Sequence, residues 1–180
     1  MTCIVGLVDN GKVYIGGDSL TVGGLNCAVV KQPKVFINGD FIMGYTTSWR
    51  MGQLLHHSFT PPKHFPDVDI MKYMVTDFID EIRACFKIAG YLTIESNVEE
   101  GGQFLVGYKG KLFNIWPDFQ VSEAALEFDS VGCGYYYALG AMYESDTGVL
   151  SDPKIRIERA LEAAENFSGG VRRPFIILSN

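Results

Sequence analysis

The chain lacks the features that would tie it to a nucleic acid or a membrane. Its 15 Lys and Arg residues are outnumbered by 21 Asp and Glu residues, which gives a net charge of −6. Nucleic-acid-binding proteins normally carry a basic patch, so this balance argues against such a partner. No run of about 20 apolar residues is present to cross a bilayer, and the first residues lack the basic segment of a signal peptide. We therefore expect a cytoplasmic protein with no membrane contact.

The chain also has few candidate metal ligands. Its four cysteines, at positions 3, 27, 85 and 133, form no CxxC pair and no zinc spacing, so we expect reduced thiols. Of its three histidines, positions 56 and 57 are adjacent on a predicted helix and point to different faces. We expect no cofactor and no metal. The 180 residues fit one domain, 1–180, that can bury roughly 70% of its unfolded surface.

The order of predicted elements defines the fold class. β-rich runs separated by Asn-Gly and other turn signals predict strands over about residues 3–8, 13–15, 26–30, 34–37 and 41–45, and again over 104–108, 112–116, 127–132 and 174–178. Apolar residues at three- and four-residue spacing predict helices over 48–57, 70–89, 135–143 and from 152 to before 169. Strands, two helices, strands, two helices and a strand predict an α+β domain with helices packed on antiparallel sheet.

Two motif matches in the first 24 residues lack residues that their chemistry requires. Gly6 to Lys12 has the GxxxxGK spacing of a phosphate loop, but Val13 stands where a Ser or Thr must hold magnesium. The run from Gly17 to Leu20 resembles the nucleophile block of GDSL-type esterases, in which Ser19 would attack an ester. That mechanism needs a histidine base. The esterase family carries this histidine near the C-terminus, and no histidine here lies beyond residue 64.

A third set of residues, Thr2, Asp18 and Lys34, has a consistent chemistry. A threonine at a chain terminus carries its own base, the α-amino group, so removal of Met1 would give an activated hydroxyl. A nearby Lys34 cation would keep that amine neutral, and Asp18 would supply the partner that a buried lysine needs. Each residue also has an ordinary structural interpretation. Thr2 is then simply the second residue of the chain, Asp18 a turn former at the end of a strand, and Lys34 a surface lysine. Cys3 becomes a nucleophile only if two residues are trimmed.

The first hairpin admits two registers. A two-residue Asn10-Gly11 turn places Asp18 opposite Cys3, whereas a three-residue turn from Asp9 to Gly11 places it opposite Thr2. We prefer the three-residue turn, because it collects the apolar residues of both strands on one side. It would also bring Asp18 to face Thr2 directly.

These residues resemble the opening of proteasome β-type subunits and of the proteasome-like peptidase of bacterial ATP-dependent proteases. In that family the mature chain starts at threonine, with an aspartate 16 and a lysine 32 residues later. Here 18 − 2 = 16 and 34 − 2 = 32, without a gap. Three later segments also resemble family elements, namely 41–48, 131–140 and 165–170. The resemblance implies a mature chain of residues 2–180 and a four-layer αββα sandwich of the N-terminal-nucleophile (Ntn) hydrolase type.

The resemblance further implies a role for each site residue. Thr2 would be the nucleophile and its amine the base, while Lys34 tunes the amine and Asp18 fixes the lysine. The N–H of Thr47 would stabilise the oxyanion, with Cys133 nearby. Ser168 and Glu165 would support the terminus. Thr47, Cys133, Glu165 and Val22 differ from the family's glycine, serine, aspartate and threonine.

The implied function is that of a threonine peptidase that cuts unfolded polypeptides inside a homo-oligomeric ring fed by an ATPase unfoldase. Two alternatives remain open within the same fold. One is a catalytically inactive structural or assembly subunit that retains Met1, and the other is an amide hydrolase that acts on small molecules. The esterase remains a third alternative, disfavoured by the missing histidine.

Overall fold

A computed structural model describes residues 1–145 and 152–180. The strands of the described residues are β1 (Cys3–Asp9), β2 (Lys12–Gly17), β3 (Leu20–Gly23), β4 (Asn26–Val29), β5 (Val35–Asn38), β6 (Phe41–Tyr45), β7 (Thr93–Glu95), β8 (Val98–Glu100), β9 (Phe104–Tyr108), β10 (Lys111–Ile115), β11 (Val121–Glu123), β12 (Phe128–Gly132) and β13 (Ile176–Ser179). The helices are α1 (Trp49–His57), α2 (Ile70–Tyr73), α3 (Ile79–Ile88), α4 (Tyr135–Ser145) and α5 (Pro153–Phe167), with a π-helical segment over Met74–Phe78.

Two antiparallel sheets face each other at the centre of the molecule. The first has the strand order β12-β1-β2-β13 and the second the order β11-β10-β9-β6-β5. Branched and apolar side chains fill the space between them, including Ile4, Ile15, Val35, Ile42 and Leu105. The sheets are buried on both faces, because helices cover the outer side of each one.

The helices form the two outer layers. Cys3, Val5 and Leu7 of β1 pack against buried residues of α4 and α5, such as Met142 and Leu161. On the other side, α1, α2, the π segment and α3 cover the second sheet with a core rich in aromatic residues. The fold is therefore the predicted α+β, four-layer αββα sandwich. Within 1–145 and 152–180, no helix is both long and apolar enough to cross a bilayer.

Side-chain caps begin helices α1, α2 and α5. The side chains of Ser48, Asp69 and Asp152 each accept a hydrogen bond from a backbone N–H of the first turn of α1, α2 and α5, respectively. These bonds satisfy donors that a helix start leaves unpaired. Gly90 follows the C-terminal end of α3 and adopts the left-handed conformation, with φ 66°. This conformation favours glycine.

The predicted register of the first hairpin is wrong. Asp9 pairs with Lys12 and Ile4 with Gly17, so Asn10-Gly11 forms a two-residue turn in which both residues have positive φ. Asp18 comes directly after Gly17 and therefore lies beside Cys3. The Asp18 N–H donates to the Cys3 carbonyl at 3.3 Å. The prediction assumed that one face of the hairpin is buried. Because both faces are buried, the apolar pattern does not select a register, and the turn chemistry of Asn-Gly decides.

Candidate active site

Asp18 and Lys34 form a buried ion pair at one end of the first sheet. The Lys34 Nζ atom lies 2.9 Å from Asp18 Oδ1, and the two side chains are 2% and 0% exposed, respectively. Lys34 Nζ also donates to the carbonyl of Leu20 at 2.6 Å and to that of Met1 at 3.4 Å. The three donors of the ammonium group thus have three acceptors, which is the condition under which a buried lysine is tolerated.

The Asp18 carboxylate is held equally firmly. Its Oδ1 accepts the N–H of Cys3 at 3.0 Å, and its Oδ2 accepts those of Leu20 at 2.9 Å and Arg172 at 3.4 Å. These donors belong to the start of β1, the start of β3 and the segment before β13. The aspartate therefore joins three parts of the chain beside Thr2.

Burial acts on the titratable groups around this pair. Burial lowers the pKa of the Lys34 ammonium, and the charge of Asp18 opposes that shift. Burial raises the pKa of the neighbouring Cys3 thiol to about 12, with its hydrogen bond to Ser130 acting the other way. Cys3 is thus a neutral, buried thiol at ordinary pH, which argues against its use as a nucleophile.

Thr2 lies at the mouth of a small cleft above the ion pair. The cleft has a volume of about 100 Å³ and is lined by Met1, Thr2, Val22, Lys34, Tyr45 and residues 46–49. We call it the Thr2 cleft. Thr2 is 5% exposed. Its N–H donates to Cys133 Sγ at 3.3 Å, and its hydroxyl donates to the Met1 carbonyl. Thr2 and Lys34 therefore share one cavity.

Thr47 has a backbone conformation that favours glycine. Its φ is 62°, an unusual value for a β-branched residue. Its hydroxyl accepts a hydrogen bond from the N–H of Gln103 at 3.1 Å, which fixes the side chain. Among the described residues, no acceptor takes a hydrogen bond from the Thr47 N–H. The turn thus keeps a free amide at the rim of the Thr2 cleft although the residue is a threonine.

Cys133 and Ser168 contact each other on the opposite side of Thr2. Cys133 Sγ lies 3.4 Å from the Thr2 carbonyl oxygen and 3.5 Å from Ser168 Oγ. Ser168 ends α5, where its N–H donates to the Ala164 carbonyl at 2.9 Å and its hydroxyl accepts from Gly170 at 3.4 Å. The structure thus places Cys133 and Ser168 near Thr2, with the Cys133 sulfur atom between Thr2 and Ser168.

Glu165 lies in a different environment from the one expected. Its carboxylate accepts the N–H of Arg173 at 2.8 Å and the Nε of the same residue at 3.0 Å. Arg173 also pairs with Glu162 at 2.6 Å. Arg172, the neighbour of Arg173, donates to Asp18. Any support of Thr2 by Glu165 would therefore pass through the segment before β13 rather than through direct contact.

The sequence did not identify Arg172 and Gln103 as site residues. Both act through backbone atoms, Arg172 through its N–H to Asp18 and Gln103 through its N–H to Thr47. Any residue type other than proline can donate such a bond, so the sequence contains no signal for them.

The geometry around Ser19 does not support the esterase hypothesis. Ser19 is 4% exposed, and its hydroxyl donates to the Pro174 carbonyl at 2.6 Å. The histidines lie elsewhere: His56 stacks on Phe36, and His64 bonds Tyr108. Ser19 is therefore a structural residue that fixes the segment leading into β13.

The fold is similar to several solved structures over nearly its whole length. Thiobacillus denitrificans BPH in complex with epoxomicin has a TM-score of 0.81 and 22% sequence identity, over 99% of this chain and 98% of that chain. The eukaryotic HslV from Trypanosoma brucei has a TM-score of 0.69 and 14% identity over 99% and 98% of the two chains. Anbu, an ancestral β-subunit from Yersinia bercovieri, has a TM-score of 0.66 and 14% identity over 99% and 81%.

No family model and no curated protein sequence matches this chain. At identities of 14–22%, the structural likeness establishes the fold, the four-layer αββα sandwich shared with these solved structures. Function has to be argued from the site itself.

Proposed function

We propose that this chain, as one domain over residues 1–180, is an N-terminal threonine peptidase of the proteasome type. Removal of Met1 frees the Thr2 amine, and the hydroxyl of the same residue is the nucleophile. The observation that carries the proposal is the buried Asp18–Lys34 pair, whose ammonium also reaches the carbonyl of residue 1 at 3.4 Å. Lys34 lines the same cavity as Thr2, and a cation close to an amine favours the neutral form of that amine, as a base requires.

The proposed reaction has two halves. Thr2 Oγ attacks the carbonyl carbon of a peptide bond while the Thr2 amine takes the hydroxyl proton, and the Thr47 N–H stabilises the oxyanion. The C–N bond breaks, the amine returns the proton to the leaving nitrogen, and an ester to Thr2 remains. Water then adds to the ester with the same amine as base, which releases the acid and restores the hydroxyl.

Cys133 and Ser168 position the Thr2 nitrogen in this proposal. Cys133 Sγ lies 3.3 Å from that nitrogen and 3.5 Å from Ser168 Oγ, so the two residues form a relay to the end of α5. Glu165 holds the neighbouring Arg173 and so stabilises the segment that contacts Asp18. The role of Glu165 is indirect.

We further propose that the chain works in the cytoplasm as a homo-oligomer that receives unfolded polypeptides, with an ATPase unfoldase as partner. The likeness to Anbu, described as an ancestral β-subunit, supports assembly. Large apolar side chains at the surface also support it, because Leu25, Tyr136, Tyr143 and Phe167 are each at least 69% exposed. Native mass spectrometry tests this part: a ring predicts one large, closed assembly, and a monomer contradicts it.

The activity is tested with a fluorescently labelled denatured protein as substrate. We expect wild-type protein with a Thr2 terminus to release labelled peptides. Thr2→Ala should abolish this release, and Thr2→Ser should retain part of it. Ser19→Ala is the matched control, because it removes a hydroxyl from the competing esterase residue and should leave peptide release intact. Equal activity of wild type and Thr2→Ala would refute the proposal.

A catalytically inactive subunit that retains Met1 is the second candidate. In a chain that retains Met1, the Thr2 nitrogen is a peptide amide and cannot act as the base, and the Thr2 hydroxyl is engaged with the Met1 carbonyl. N-terminal sequencing of protein from cells separates the two candidates. A uniform Met1 terminus supports the inactive subunit, and a Thr2 terminus supports the peptidase.

A further inference from the structure

A chain of three polar side chains connects the two sheets near the Thr2 cleft. Gln103 Nε2 donates to Asn114 Oδ1 at 3.2 Å, and Asn114 Nδ2 donates to Asp129 Oδ2 at 2.9 Å. Asn114 is 3% exposed and lies on β10 of the second sheet, whereas Asp129 lies on β12 of the first. Asp129 is itself fixed, because its Oδ1 accepts the N–H of Ser130 at 2.7 Å. We call these three residues the cross-sheet chain.

The backbone of Gln103 holds the turn that carries Thr47. Its carbonyl accepts the N–H of Thr46 at 3.1 Å, and its N–H donates to Thr47 Oγ at 3.1 Å. Tyr45 pairs with Phe104, so these bonds extend the β6–β9 ladder by one step beyond the strand ends. The direction of the Thr47 N–H therefore depends on where residue 103 lies.

The turn that the cross-sheet chain anchors is intrinsically unfavourable. A β-branched residue at φ 62° tends to relax toward another conformation unless its surroundings hold it. The strand that carries Asp129 continues through Gly132 to Cys133, which contacts the other side of Thr2. The chain thus links the turn on one side of the Thr2 cleft to the strand on the other.

We propose that Gln103 is a positioning residue for the Thr47 amide, held in place by Asn114 and Asp129. The inference rests on the proposed function, because it assigns to Thr47 the stabilisation of the oxyanion. A hydrogen-bond donor stabilises a transition state only when it is fixed in the right direction beforehand. Loosening the cross-sheet chain should therefore slow the chemical step while substrate binding is unchanged.

The test is the inactivation of the assembled protein by a peptide epoxyketone, with the maximal rate kinact and the half-saturating concentration KI measured separately. Gln103→Ala should lower kinact by about tenfold, since small misplacements of a fixed group can cost up to about a hundredfold. Its KI should stay within about twofold of wild type, as expected when the lost interaction belongs to the transition state alone. Gln120→Ala, at an exposed glutamine outside the Thr2 cleft, is the matched control and should change neither constant.

Two substitutions that move the carboxylate from residue 129 to residue 114 distinguish a positioning role of the cross-sheet chain from a general effect on stability. Asn114→Asp places a second carboxylate within hydrogen-bond distance of Asp129, so we expect kinact to fall by about tenfold or more. Adding Asp129→Asn restores the hydrogen bond between residues 114 and 129 with its donor and acceptor exchanged, while Gln103 Nε2 still donates to residue 114. We expect the double variant to recover kinact to within about threefold of wild type.

The outcomes distinguish this inference from the proposed function. If wild type reacts and Gln103→Ala reacts at the wild-type kinact, Gln103 has no positioning role and the inference is overturned. The same follows if the double variant regains the wild-type melting temperature but stays as slow as Asn114→Asp. If wild type does not react at all, the proposed function fails, and the inference fails with it.

Discussion

The buried ion pair gives the sharpest prediction about stability. Asp18→Ala leaves the Lys34 ammonium buried with only two carbonyl acceptors and leaves the N–H groups of Cys3 and Leu20 without their carboxylate. Removal of one partner from a buried pair costs about 3–5 kcal/mol. Since a domain is stable by only about 5–15 kcal/mol, this variant should be close to unfolding.

Lys34→Met should cost less than Asp18→Ala. The carboxylate then loses one donor but keeps the N–H groups of Cys3, Leu20 and Arg172 at 3.0, 2.9 and 3.4 Å. We expect a loss of about 1–3 kcal/mol, the range for one missing hydrogen bond to a buried group. The double variant Asp18→Leu with Lys34→Met removes both charges and should recover part of the loss.

Urea unfolding at one fixed protein concentration measures these differences. With a slope of about 2 kcal/mol per molar urea, a loss of about 4 kcal/mol lowers the midpoint by about 2 M. The fixed concentration matters, because assembly adds to the apparent stability. The reasoning would be refuted if Asp18→Ala proved no more destabilising than Lys34→Met, or if both changed the midpoint by less than about 0.5 M.

Three further predictions concern the surroundings of Thr2. Gly132→Ala places a methyl group 2.3 Å from the Thr2 carbonyl oxygen, at a residue whose φ is 99°. We expect it to lower the free energy of unfolding, measured in urea, by more than about 2 kcal/mol. Its control is Gly140→Ala, which has open space around it in helix α4 and should raise the free energy of unfolding by up to about 1 kcal/mol. The raised pKa of Cys3, about 12 against 9.0, means that the folded state keeps a proton which the unfolded chain loses. Stability should therefore fall as the pH rises from about 9 to 12, and a flatter pH profile for Cys3→Ala would agree, while an unchanged profile would not. Cys133→Ser keeps a donor and acceptor beside Thr2 and should react with a peptide epoxyketone within about threefold of the wild-type rate; a loss of about a hundredfold would show that sulfur itself is required.

Much of the fold could be predicted because its signals are local. The periodic apolar residues of the 70–89 segment depend only on neighbours in sequence. The π-helical segment over Met74–Phe78 was not predicted, since its apolar pattern is that of an ordinary α-helix. The short strands β3, β7, β8 and β11 were also missed, because three or four residues are too few to show an alternating pattern.

The hairpin register shows where sequence reasoning failed. Ile4 faces the second sheet and Cys3 faces the helices, so apolar residues occupy both faces of β1. An argument that sorts residues onto one buried face has no basis in such a strand. Asp18 nevertheless reaches Lys34, because β2 ends at Gly17 and the chain turns there.

The candidate site could be predicted only where side chains provide the chemistry. The chemistry of Thr2, Asp18 and Lys34 and their resemblance to a family motif predicted one site. In the structure Thr2 and Lys34 line the Thr2 cleft, and Asp18 is paired with Lys34. Backbone contributions from Gln103 and Arg172 depend on tertiary geometry alone. The partner of Glu165 could not be predicted from the sequence either, because Arg173 is eight residues further along a chain that reverses direction.

The most direct test of the central claim is to find which atom of the protein reacts. After incubation with a peptide epoxyketone such as epoxomicin, tandem mass spectrometry of the digested chain should place the adduct on an N-terminal peptide that begins at Thr2 and lacks Met1. An adduct on Cys133 or Ser19, or a chain that keeps Met1 and carries no adduct, would contradict a threonine nucleophile activated by its own amine.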